Sequence, residues 1–190
     1  MIKRAGDDVS ELATQTDNEL MAQSLRGDHA AFGALILRYR RTAIGVAYRI
    51  CGDAALAQDV AQLAFIRIWD KLPSFRPDGN LRGWLCRITA NLTIDALRRT
   101  RPTVDLEHVP LVDQAAGPER AAVLNERAAA VRAAVLKLPI RSRAAIVLRE
   151  YEGLSYKEIA DTLDIPLGTV KSRLNDARRR LQAELSEWVS

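Results

Sequence analysis

The stretch LSYKEIADTLDIPLGTVKSRLNDARRRL, residues 154–181, leaves the backbone few choices. Ser155, followed three residues later by Glu158, is a capping box: each side chain serves the other residue's backbone N–H, so a helix starts here. Ile159 and Leu163 recur one turn apart on a single face, and Ala160 is small where a second helix must approach closely. Pro166 stops the first helix, Gly168 is permissive where the second begins, and Ile165, Val170 and Leu174 point back to close a miniature core. Two short helices around a tight turn make a helix-turn-helix.

With the apolar side fixed, Lys171, Ser172, Asn175 and Arg178 face outward, and Arg173, Arg179 and Arg180 add charge. Lys171 to Arg180 holds five basic residues and one acidic residue, Asp176. Such a helix suits a major groove, where cations meet phosphates and guanine edges and Ser or Asn bonds base edges. Binding of that kind is strongly salt-dependent. On this motif alone a stand-alone dimeric regulator stays open, with the apolar stripe of residues 120–138 as its dimer surface.

The remainder of the chain also carries helical period. Residues 1–15 are polar and unpatterned and read as a loose tail. Thr16 with Glu19 is a second capping box, opening a short helix that Gly27 ends. Asp28 caps the next, marked by Phe32, Leu35, Ile36, Tyr39, Ala43, Val46 and Ala47, and Gly52–Asp53 breaks it. A third runs from Leu56 through Val60, Leu63 and Ile66 to Trp69 and stops at Leu72–Pro73. SFRPDGNLRG cannot be regular helix, having Pro77 and Gly79. WLCRITANLTIDALRRTR then returns to helix, with Trp84, Leu85, Ile88 and Leu92 on one side. Arg98, Arg99 and Arg101 crowd its C-terminal end, more cations than the helix dipole requires.

Residues 102–118 change character, with three prolines, a glycine and no Lys or Arg. They predict a flexible, acidic linker between two helical domains, 16–101 and 119–190. In the second domain one helix runs from Glu119 to Leu138–Pro139, another from about Ser142 to Tyr151, and Gly153 precedes the quoted motif. The expected fold is therefore all-α: two small helical domains joined by a flexible linker, the C-terminal one containing a helix-turn-helix. Aromatics are only 5% of a 190-residue chain that is 48% apolar, which also favours helices.

Several function classes are disfavoured. Cys51 and Cys86 have neither disulfide-framework nor metal spacing and read as small apolar residues in a reducing compartment. His29 and His108, the only histidines, are far apart, and no carboxylate cluster has ligand spacing, so neither an enzyme nor a metal or other cofactor is expected. No apolar run approaches the roughly 20 residues that cross a bilayer. Lys3 and Arg4 lack a following apolar segment, so a cytoplasmic protein is expected.

The order of parts, WLxRIxxNxxxDxxRR, an acidic linker, then LP and GLSYxEIAxxLxIPxGTVKSRLxxAR, resembles the extracytoplasmic-function (ECF) sigma factors of the sigma-70 family. The resemblance runs from about residue 19 to residue 182 and is densest over 84–99 and 154–174. It implies a transcription initiation factor whose partners are core RNA polymerase, promoter DNA and an anti-sigma factor, with no small-molecule substrate. The first domain would be sigma region 2, gripping polymerase and opening the minus-ten element. The second would be region 4, reading the minus-thirty-five element through Arg149, Lys171, Ser172, Arg173, Asn175 and Arg178. Residues 75–82 would form the pocket for a flipped base, with Arg76, Asn80, Trp84, Asn91, Arg98 and Arg99 around the melted strand. A non-helical loop beside an aromatic ring is what capture of an unstacked base needs. Asp59 and Gln62 match polymerase-contacting positions, whereas Leu63 departs from the acidic residue common there, and Asp176 departs in the reading helix. The tether also fits: residues 102–119 extended span at most roughly 60 Å. Elements about 16 base pairs apart lie roughly 54 Å apart at ~3.4 Å per step.

Overall fold

A computed structural model describes residues 12, 14–75, 80–99 and 118–186, with side chains from residue 126 onward in the last stretch. The expected tail 1–15 for the most part, the linker up to residue 117 and Arg76 lie outside the described residues. All regular structure among the described residues is helical, in two regions.

Four helices of the first region lie within the described residues. In α1 (Asp17–Leu25) the capping box is formed: Thr16 N donates to Glu19 Oε2 at 2.7 Å and Glu19 N to Thr16 Oγ1 at 3.3 Å. Asp28 caps α2 (His29–Cys51) by accepting from Ala30 N and Ala31 N. Asp53 caps α3 (Ala54–Lys71) by accepting from Leu56 N, and a 3-10 turn (Leu72–Ser74) follows. α4 (Leu81–Arg99) packs on both α2 and α3. Leu20, Met21, Phe32, Leu35, Phe65, Ile68, Leu81 and Leu85 form the core between them. Each such side chain, fully buried, contributes roughly 1.5–3 kcal/mol.

The second region begins with α5 (Pro118–Leu136) and α6 (Ile140–Ile146). The helix expected over about 142–151 is α6 continued by a wide π turn, Val147–Tyr151. Then come α7 (Tyr156–Leu163) and α8 (Leu167–Glu184), the helix-turn-helix. Ser155 N donates to Glu158 Oε2 at 2.8 Å and Glu158 N to Ser155 Oγ at 3.2 Å, completing the capping box. Ile159, Leu163, Val170 and Leu174 are buried as the spacing requires. The turn differs in one respect. Its left-handed residue is Asp164 (φ 51°), not a glycine, and a Cβ on Gly168 would meet nothing. Asp tolerates that conformation better than most residues, since its short polar side chain bonds locally.

The two regions also touch. Val46, Ile50, Cys86, Ala90 and Ile94 of the first share one apolar cluster with Leu148, Leu154, Ile159 and Leu163 of the second. Arg143 donates to Ile50 O at 2.6 Å, and the Arg49 guanidinium lies 4.4 Å from the Tyr151 ring centre. Gly52 closes α2 with φ 79°, and a Cβ there would come within 3.0 Å of Leu136 in α5. The left-handed cap favours glycine here, and the approach of Leu136 leaves a Cβ little room.

Candidate nucleic-acid interface

On α8 the buried set Val170, Leu174 and Ala177 fixes which side faces solvent. Lys171, Ser172, Asn175 and Arg178 are exposed, as the helical spacing requires. The structure adds how these groups are held. Ser172 Oγ donates to Thr169 O at 3.0 Å. Arg178 donates to Glu150 Oε1 at 2.8 Å and to Tyr156 Oη at 3.3 Å, so it is braced against the rest of its own region. Arg149 is half-buried, donating to Leu154 O at 2.9 Å with its guanidinium 5.3 Å from the Tyr156 ring centre. Arg173 is also half-buried, and its Nη1 has no hydrogen-bond partner. Burial, then the like charge of Arg141, pushes Arg173 below the ordinary arginine range. A phosphate would relieve both.

Asp176 does not face the groove as a bare acid. Arg180 donates to it at 2.8 Å and Arg179 at 2.6 Å. Those hydrogen bonds, Arg180's first, hold its carboxyl below the usual range. Its negative charge is thus offset by cations on its own helix.

On α4 the geometry brings together more than the motif named. Trp84 is partly buried against Phe75, ring centres 5.0 Å apart, and one edge opens on a groove. Asn91, Arg87, Asp95 and Arg99 line that groove from α4, and Arg67 and Lys71 from α3. Sequence reading passed over Arg67, Lys71 and Arg87. Spacing holds the signal: 84, 87, 91, 95 and 98–99 follow one helical face, and 67 and 71 are one turn apart. Arg98 and Arg99 are exposed at the end of α4. Asn80 Oδ1 accepts from Gly83 N at 2.9 Å at the start of the same helix.

A third surface lies between α2 and α3. Asp59 and Gln62 are exposed there and line a groove with Ile36, Leu37, Arg40 and Ile66. Leu37 is 73% exposed, and Leu63 and Ile66 are 50% exposed each. Leu37 and Ile66 line the groove, so large apolar side chains stand exposed at it. Leu63, the departure from the expected acid, adds to them. Among the described residues no group of His, Cys, Asp and Glu is arranged to hold a metal ion. Among them, too, no helix is long and apolar enough to cross a membrane.

Comparison with known proteins finds matches to two separate stretches of the chain. Residues 35–103 match the family model for sigma-70 region 2, and residues 128–181 that for sigma-70 region 4. The chain is 37% identical to the RNA polymerase sigma-H factor of Pseudomonas aeruginosa, over 92% of this chain and 96% of that one. It is 34% identical to the ECF RNA polymerase sigma factor SigW of Bacillus subtilis, over 87% and 94%. Among solved structures it is similar to CnrH in complex with the cytosolic domain of CnrY, with a TM-score of 0.67 and 30% identity over 90% of this chain and 97% of that one. It is also similar to the sigma factor RpoE of Bartonella quintana in complex with the anti-sigma factor NepR, with a TM-score of 0.65 and 26% identity over 82% and 96%. With two helical regions matched by the region 2 and region 4 models and relatives of one kind covered over most of their length, the chain belongs to the extracytoplasmic-function sigma factors of the sigma-70 family.

Proposed function

We propose that the chain binds core RNA polymerase through the α2–α3 surface around Asp59, Gln62, Leu37, Leu63 and Ile66. Residues 16–101 then act as region 2 and residues 119–190 as region 4, with the polymerase supplying the chemistry of RNA synthesis. Asn80, Trp84, Asn91, Arg98 and Arg99, joined by Arg67, Lys71 and Arg87, hold the melted minus-ten strand. An aromatic edge beside amides and cations is what a single strand needs, stacking for bases and charge for phosphates. Arg76 belongs to the same loop by sequence. Lys171, Ser172 and Asn175 read the upstream element in the major groove, while Arg173, Arg149 and Arg178 secure the backbone.

The observation that carries this reading is the pairing, on one chain, of two differently built surfaces rich in cations and amides. One is a solvated helix suited to duplex, the other a groove with an aromatic wall suited to a single strand. A dimeric regulator has use for the first and none for the second. Control by an anti-sigma partner is supported by the relatives: RpoE of Bartonella quintana is seen with NepR, and CnrH with the cytosolic domain of CnrY. The site of action would be the cytoplasm, where polymerase meets DNA.

Gel shift on promoter duplex, with and without core polymerase, tests the proposal. Sequence-specific binding is expected only with core present. Tight, sequence-specific binding by the chain alone would overturn it in favour of a stand-alone regulator.

A further inference from the structure

The groove between α2 and α3 carries its charges in a self-complementary order. The two helices are joined by the tight turn at Gly52–Asp53 and pack on each other, so they run antiparallel. On α3, Asp59, Gln62, Leu63 and Ile66 recur at helical spacing along one face. Leu37 and Arg40 line the same groove from α2. Arg40 lies twelve residues before Gly52 and Phe65 twelve after Asp53, so these two are level. Asp59 is six residues nearer the turn, roughly 9 Å at 1.5 Å per residue, and Gln62 falls midway. An acid therefore stands toward one end, a cation toward the other and an amide between them. Neither charge is satisfied at home: Arg40 and Asp59 form no ion pair with another described residue.

We propose that two copies of this chain pair through this groove about a two-fold axis at Gln62. A half-turn about that axis sets each Asp59 against the second copy's Arg40, twice, and Gln62 against Gln62. An amide complements itself, since its oxygen accepts and its nitrogen donates. A closed pair needs just such a patch, in which one residue meets another and is met by it in return. Leu37, Leu63 and Ile66, each half exposed or more, supply the apolar part. Leu63 stands beside the axis, where an acid would be held close to its own copy and repel it. A patch of so few side chains falls short of the roughly 800 Å² per partner of a standard stable interface, so pairing is weak and set by concentration.

The same surface is the one read above as binding core polymerase. The pair does not depend on that reading, but its consequence does. A paired chain has no free α2–α3 surface, so pairing sets surplus chain aside at high concentration and polymerase draws it back by mass action.

Sedimentation velocity of the full chain, without polymerase or DNA, tests the pair. The parent should pass from monomer to dimer with a dissociation constant on the order of 10 μM. Arg40→Glu and Asp59→Arg each set like charges across the axis and should weaken pairing by about tenfold or more. Mixed in equal amounts, the two variants should pair again, because each then meets the complementary charge on the other. That recovery also shows that both are folded. Leu63→Glu should weaken pairing as well, with no recovery on mixing with either charge variant. A parent that stays monomeric up to about 1 mM would overturn the inference. Pairing that neither charge variant weakens, or a mixture no tighter than its parts, would overturn the two-fold arrangement. Polymerase is absent throughout, so failure here is distinguishable from failure of polymerase binding, which a pull-down on core reads separately.

Discussion

On α8, Lys171, Ser172 and Asn175 face solvent, and the residues that brace the helix, Glu150 and Tyr156 through Arg178, come from its own region. On α4, Asn91 and Asn80 are engaged instead by Thr162 and Glu158 of the other region. The two helices carry the same kinds of side chain but differ in who holds them. A duplex-reading helix needs only local bracing, because its target arrives with its bases paired and its grooves formed. On the proposed reading, a strand-holding groove meets its target only once DNA melts, so its amides can be engaged elsewhere until then.

Truncating the helix-turn-helix core breaks the comparison most severely. Leu174→Ala removes a fully buried side chain from the cluster that also holds Ile159 and Val170, and should cost about 2–5 kcal/mol in chemical denaturation. Upstream-element binding should be lost with it, while the first region's separate cluster around Leu20, Phe32 and Phe65 keeps its helices. Next in size is Lys171→Ala. It should weaken the polymerase complex on promoters with an upstream element by about 1–3 kcal/mol in competitive binding, leaving core binding intact.

Arg98→Ala and Arg99→Ala sharpen the contrast from the other side. Each should lower the slope of log affinity against log salt by about one, across promoter sequences alike. A loss confined to particular bases would reassign them from phosphate to base contact.

Smaller still is a pH effect on α7. Ser155 hydrogen bonds, from its backbone first, hold the Glu158 carboxyl below its ordinary value of about 4.5, outweighing its slight burial. A depressed carboxylate contributes in full above its ordinary value and loses that contribution as pH falls through the depressed one. The helix-turn-helix should therefore loosen below about pH 4.5, and Ser155→Ala, at a cost of about 1 kcal/mol, should flatten that acid limb in circular dichroism. Asp176→Asn should change least. The thermal midpoint should hold, while the freeing of Arg179 and Arg180 shifts base preference in a promoter-selection experiment.

Helices, caps and the helix-turn-helix were legible because each depends on neighbours within a few residues. Thr16–Glu19 and Ser155–Glu158 are written three positions apart, and both boxes are formed. The turn was less so. Gly168 stands out by its residue type, yet the left-handed position is Asp164, which ends α7 with its N–H donating to Ala160 O. The packing of one region on the other left little trace in sequence. Cys86, Ala90 and Ile94 look like ordinary core positions of α4, and Glu152 like a solvated acid before Gly153. Only folding reveals that one set covers the other. Arg67 and Lys71 were missed for a related reason. Their one-turn spacing within α3 places them on a common face, but the groove they line is completed by Trp84 and Asn91 from another helix, which that spacing does not name.

The central claim, one chain that directs polymerase with two hands, meets its most direct test in run-off transcription with purified core polymerase on a promoter library. Defined transcripts should appear only when the chain is added, from templates sharing two elements about 16 base pairs apart, a separation of roughly 54 Å that the linker can span. No initiation above core alone on any template would contradict the account.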